Sequence, residues 1–127
     1  MIINTPVSLG ELVDKISILH IKNLNIKDNK KLKLVKEELI LLNETLNNHI
    51  KRSEIQKYLD LLIEINSKLW LIEDEIRDCE RNQNFNQKFI DLARSVYFTN
   101  DNRSKVKLDI NKKFGSKIIE VKSYEDY

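Results

Sequence analysis

Apolar residues recur along most of this chain at steps of three and four, the spacing that lines up one face of an α-helix. The pattern begins behind Ser8-Leu9-Gly10-Glu11. This has the form of a capping box, in which the serine hydroxyl accepts from the third helical N–H and the glutamate reaches back. It predicts a first helix from Leu9 to about Asn25, with Leu9, Leu12, Val13, Ile16, Leu19 and Leu24 on the main face and Ile18 and Ile21 opposite. Asn25, Asp28 and Asn29 then compete for the backbone and favour a turn. A second helix begins near Lys30 and carries the seam Leu32, Val35, Leu39, Leu42 and Leu46, with His49 in the next place. Ser53-Glu54-Ile55-Gln56 repeats the cap pattern and opens the longest helix, to roughly Glu80. Its seam is Ile55, Tyr58, Leu62, Ile65, Leu69, Ile72, Ile76 and Cys79.

Two seams joined by a short turn predict a long antiparallel αα-hairpin. Leu59, Ile63 and Trp70 add a second stripe to the third helix, so another helix must cover it as well. After the polar link Arg81-Asn82-Gln83-Asn84, Asn86 is a candidate cap, and Phe89, Leu92, Val96, Val106 and Ile110 mark a fourth stretch that Gly115 can end. Asn100-Asp101-Asn102 leaves open whether this stretch is one helix or two, because Asn and Asp favour caps over helix interiors. Ile118-Ile119-Glu120-Val121-Lys122 and Ile2-Ile3 are β-prone, so the termini are candidates for a short β-ribbon. The predicted fold class is therefore all-α, a helical bundle around the hairpin, as a single domain over residues 1–127.

Composition narrows the function classes. With 22 basic and 20 acidic residues the net charge is +2, so no strong field draws the chain to nucleic acid, which is an unlikely partner. Cys79 is the one cysteine, which excludes an internal disulfide and leaves no Cys/His cluster for zinc; no metal site and no cofactor is predicted. Its seam position makes Cys79 a small packed residue rather than a reactive thiol. No run approaches the ~20 apolar residues of a membrane span, and the expectation is a cytoplasmic protein with no membrane partner. The third helix, ~40 Å long, matches the ~36 Å breadth of a compact chain of this length. Together with Ile18 and Ile21 on a second face of the first helix, this predicts a homodimer.

Stepping residues by ~100° places polar groups on the apolar arcs. These are Asn66, Glu73, Arg77 and Glu80 on the third helix, Asn100, Arg103, Lys107 and Asn111 on the fourth, and His20 and Asn23 on the first. Inward charges need partners. One reading is a buried ion-pair network that fixes helix register, as suits a small helical interaction or oligomerisation module. The alternative is a pocket where His20, Arg77, Arg103 and Lys107, with Glu73 beside them, hold a small anionic ligand, a phosphate or carboxylate, as binder or enzyme. A distant third reading takes Glu11-x-x-Asp14 and Glu75-x-x-Asp78 as the magnesium-binding carboxylates of an all-α nucleotide pyrophosphatase. Against it, the same wheel turns Asp14 and Glu75 away from the main apolar faces. The first reading is preferred, and the sequence does not specify whether any catalysis occurs.

The opening Pro6-Val7-Ser8-Leu9-Gly10-Glu11-Leu12-Val13-Asp14-Lys15-Ile16-Ser17-Ile18-Leu19 resembles the start of a small uncharacterised bacterial family of unknown function. Leu69-Trp70, Ile72-Glu73-Asp74, Arg77, Leu92-Ala93-Arg94, Val96-Tyr97, Asn100-Asp101, Arg103 and Gly115-Ser116 extend the similarity over nearly the whole chain. The resemblance implies no activity. It does imply a glutamate where His20 stands, which counts against a catalytic role for that position.

Overall fold

The computed structural model describes residues 1–127 and contains four helices: α1 (Leu9–Asn25), α2 (Asn29–Asn47), α3 (Arg52–Arg81) and α4 (Gln87–Lys113). They form an all-α bundle without strands. Local chemistry sets most of the ends. Ser8 caps α1 by accepting from the Glu11 N–H at 3.1 Å, Asp28 caps α2 by accepting from the Lys31 N–H at 2.9 Å, and Asn86 caps α4 through the Lys88 N–H at 3.1 Å. Gly115, at φ +67°, ends α4 in a left-handed turn that lets the Ser116 N–H reach the Asn111 carbonyl at 2.9 Å.

Several sequence expectations change at this level. Ser53 does not cap α3, which starts at Arg52 behind Lys51 with no side-chain cap. Arg52 instead donates to Gln56 Oε1 at 2.8 Å and Asn43 Oδ1 at 2.9 Å, tying the start of α3 to α2. Glu11 does not complete the reciprocal half of its capping box, because its carboxylate is spent on Lys107. Asn100-Asp101-Asn102 lies inside one continuous α4. The termini form no ribbon: Ile2 and Ile3 are exposed, and no backbone hydrogen bond links them to the tail. That tail folds back along α4, where Tyr124 and Tyr127 donate to the Asp101 carboxylate and the Tyr127 ring packs edge-on against Tyr97 and Phe98.

The largest correction concerns which seams meet. The α2 seam packs chiefly on α1, and α3 packs against α4 and α1. The closely packed antiparallel pair is thus α3 with α4, its sense marked by Tyr58 near the start of α3 stacking edge-on against Phe114 just past α4, centroids 5.9 Å apart. α1 lies centrally and touches all three other helices. The core gathers Leu12, Val13 and Ile16 of α1 with Leu46, Ile55, Leu59, Leu62 and Ile110. Ile21, read from sequence as a second face awaiting a partner molecule, is buried within the chain.

Candidate functional site

Gly10, Asp14, Ser17 and Ile21 follow one another along α1 at steps of four, three and four, so they form one stripe. All four are buried. Gly10 brings α4 close: a Cβ built on it would stand 2.5 Å from the Lys107 carbonyl oxygen, and its N–H donates to Asn111 Oδ1 at 2.7 Å. The Leu9 N–H donates to Ser116 Oγ at 3.3 Å. The N–H groups of the first turn of α1 are therefore taken up by the protein itself and leave no free anion cradle there.

One turn further in, the Asp14 side chain is 1% exposed. Arg103 grips it with both arms of its fork, Nε to Oδ1 at 2.9 Å and Nη2 to Oδ2 at 2.5 Å. Asn66 of α3 donates to Asp14 Oδ1 at 2.9 Å and to Ser17 Oγ at 2.7 Å, and the Ser17 hydroxyl donates to the Asp14 carbonyl at 2.6 Å. Three helices thus meet on one carboxylate. The Asp14 contact holds the Arg103 guanidinium above its ordinary pKa despite partial burial. Lys107 stands alongside, 2.8 Å from Glu11, 3.1 Å from Glu120 of the tail and 4.0 Å from Asp14. Burial alone would lower its pKa, but the hydrogen bonds to Glu11 and Glu120 and the nearby Asp14 charge raise it on balance. A lysine held protonated in this way is unsuited to act as nucleophile or general base.

Among the residues singled out from sequence, the structure brings Arg103, Lys107 and Asn66 together at Asp14, places Glu73 and Arg77 on the rim of a cleft that Arg103 also lines, and leaves His20 apart. Glu73 and Arg77 are exposed, 3.8 Å from each other, and Glu80 is exposed too, although the helical wheel turned all three inward. The wheel assumes an arc buried along its whole length, whereas the main core involves only the first part of α3, from Ile55 to Leu62. His20 is half-buried elsewhere on α1, its pKa lowered by burial and by the Arg52 charge. Its Nε2 and Asn23 Oδ1 are enclosed without a hydrogen-bond partner.

Asp14 is the residue that sequence reasoning misplaced. The helical wheel turns it away from the main apolar face, yet it is the centre of the polar layer. The available signal was the pair of small residues, Gly10 and Ser17, one turn to either side, which permits close approach of another helix. The two ExxD pairs do not face one another, because α3 meets Asp14 at Asn66 and Glu75 lies nine residues on, a rise of roughly 14 Å. Glu11 pairs with Lys107 and Asp78 with Arg81.

No helix is long and apolar enough to cross a membrane. One family model, described as a family of unknown function (DUF6165), matches residues 3–127. No curated protein and no solved structure matches the chain.

Proposed function

For this chain, which belongs to the DUF6165 family, we propose a role as a helical interaction module that works as a homodimer. The observation that carries this reading is α2. Its seam packs on α1, while Leu34 and Leu41, seven residues apart on one row, are left open, Leu34 at 66% exposure, beside the exposed charges of Lys33, Glu37 and Glu44. An exposed leucine row flanked by charges of both signs suits a second helical neighbour, and this chain supplies none there. A second copy is the occupant proposed, because a net charge of +2 puts little repulsion between identical chains.

The polar layer fits the same reading. Its charges pair between α1, α4 and the tail, and Asn66 ties α3 to them by hydrogen bonds, as expected of a device that sets helix register. The rival reading, a small anionic ligand on Arg103 and Lys107, is disfavoured because Asp14, Glu11 and Glu120 already occupy both cations. Sedimentation equilibrium across micromolar concentrations is expected to show about twice the 15.1 kDa chain mass. Replacing Leu34 and Leu41 together by Glu should give a folded monomer. A single 15.1 kDa species of the unmodified chain at every concentration would remove the proposal.

A further inference from the structure

Beside the ion-paired layer lies a cleft of about 540 Å³ between α1, α3 and α4, walled by Ile18, Ile21, Leu69 and Trp70. Asn66, 5% exposed, is part of its lining. Both amide hydrogens of Asn66 are spent, one on the Asp14 carboxylate and one on the Ser17 hydroxyl. A carboxylate only accepts, so this contact fixes which end of the amide is which. The Asn66 carbonyl oxygen is left with no donor in the protein and, unlike His20 Nε2 and Asn23 Oδ1, is not enclosed, so it opens to the cleft and is free to accept there. Arg103 lines the same cleft, and with Nε and Nη2 committed to Asp14 its Nη1 has only Asn100 Oδ1, at a long 3.5 Å. The cleft therefore offers an idle acceptor and a prepositioned donor together with an indole ring.

We propose that this cleft binds a nucleobase with a lactam edge, carried on an uncharged nucleoside. In such a base an N–H stands next to a C=O, which complements Asn66 Oδ1 and Arg103 Nη1. The flat ring gains from stacking on Trp70, a contact open to any base because each has a π-face. Glu73 and Asp74 also line the cleft and are acceptors suited to ribose hydroxyls. Their two charges against Arg77, with Arg103 already neutralised by Asp14, disfavour a phosphate dianion. The proposal stands apart from dimerisation and does not need it.

Trp70 is the one tryptophan of the chain, so its fluorescence reports on the cleft directly. Titration with uridine and with inosine should quench it saturably at up to millimolar concentration, with matching heats by calorimetry. N3-methyluridine, which lacks the N–H, should bind at least tenfold more weakly. Trp70→Ala should weaken inosine binding about tenfold to a hundredfold by calorimetry; if that variant does not fold, Trp70→Leu keeps the wall apolar and removes the stack. The proposal is overturned by the absence of saturable binding of both nucleosides, by equal affinity for N3-methyluridine, or by unchanged affinity in a folded Trp70 variant. Uridine monophosphate binding tenfold tighter than uridine would overturn the assignment of an uncharged ligand.

Discussion

Asp14 shows how one side chain can fix three helices. Its carboxylate is closed off from solvent and its hydrogen bonds are shared among α3 and α4. Removing it leaves Arg103 with a charge and no counter-charge at close range. Asp14→Leu is expected to cost about 2–4 kcal/mol in urea unfolding, the buried-pair range discounted because Arg103 is partly open to water. The double variant Asp14→Leu with Arg103→Met should recover most of that loss, since it leaves no lone charge behind. A double variant no more stable than the single one would show that the layer does more than balance charge. His20 makes a different prediction. Its pKa is lowered in the folded chain, first by burial and then by Arg52, so the unfolded chain binds the proton more readily. The His20 contribution is therefore fully present above the unfolded value of about 6.5 and is lost as pH falls through that value towards the lower folded one. Thermal melts from neutral to mildly acid pH should show this loss, and His20→Gln should reduce it.

At the scale of elements, the contact between α1 and α4 rests on Gly10. A methyl group there meets a backbone carbonyl rather than a yielding side chain, so the helices must separate. Gly10→Ala should destabilise by about 1–3 kcal/mol, even though alanine is the better helix former. A gain in melting temperature would show that α4 can shift without cost. Helix ends were legible wherever a side chain near the end supplies the cap, as Ser8, Asp28 and Asn86 do, or where Gly115 can turn left-handed. The start of α3 differs from expectation, and at α1 only the glutamate half of the capping box fails, because in both places another partner competes. Arg52 reaches across to Asn43, and Glu11 goes to Lys107, which is distant in sequence. Asn100-Asp101-Asn102 lies within α4 without breaking it, and there the Asp101 carboxylate accepts from Tyr124 and Tyr127 of the tail rather than capping a helix end.

Over the whole molecule, the tail acts as a strap along α4. Glu120 reaches Lys107 at 3.1 Å, and Tyr127, its phenol pKa raised to about 12 by its hydrogen bond to Asp101, stays a neutral donor at ordinary pH. Lys107 keeps Glu11 without the tail, so ending the chain after Lys117 should leave helical circular dichroism intact. It should lower the melting temperature by roughly 4 °C, on the scale of a partly exposed ion pair. Loss of cooperative unfolding would instead make the tail part of the core. Only 19 of the 127 residues are buried, and Leu34 and Leu41 of α2 are among the large apolar side chains left exposed, the surface on which the proposed dimer would rest.

Sequence alone determines the all-α class, the approximate limits of α1, α2 and α3, and the faces of α2 and α3 that bear apolar seams, but leaves open whether the fourth stretch is one helix or two. Those features arise from local spacing and capping, which operate within a few residues. The tertiary structure decided which seams meet and where charge is buried. Periodicity tells how a face is composed but not what lies against it, and a helix surrounded by three others has no single outer side. α1 is such a helix. Its stripe from Gly10 through Asp14 to Ile21 looks like a minor face along the chain, and only its contact with α3 and α4 makes Asp14 the centre of the bundle.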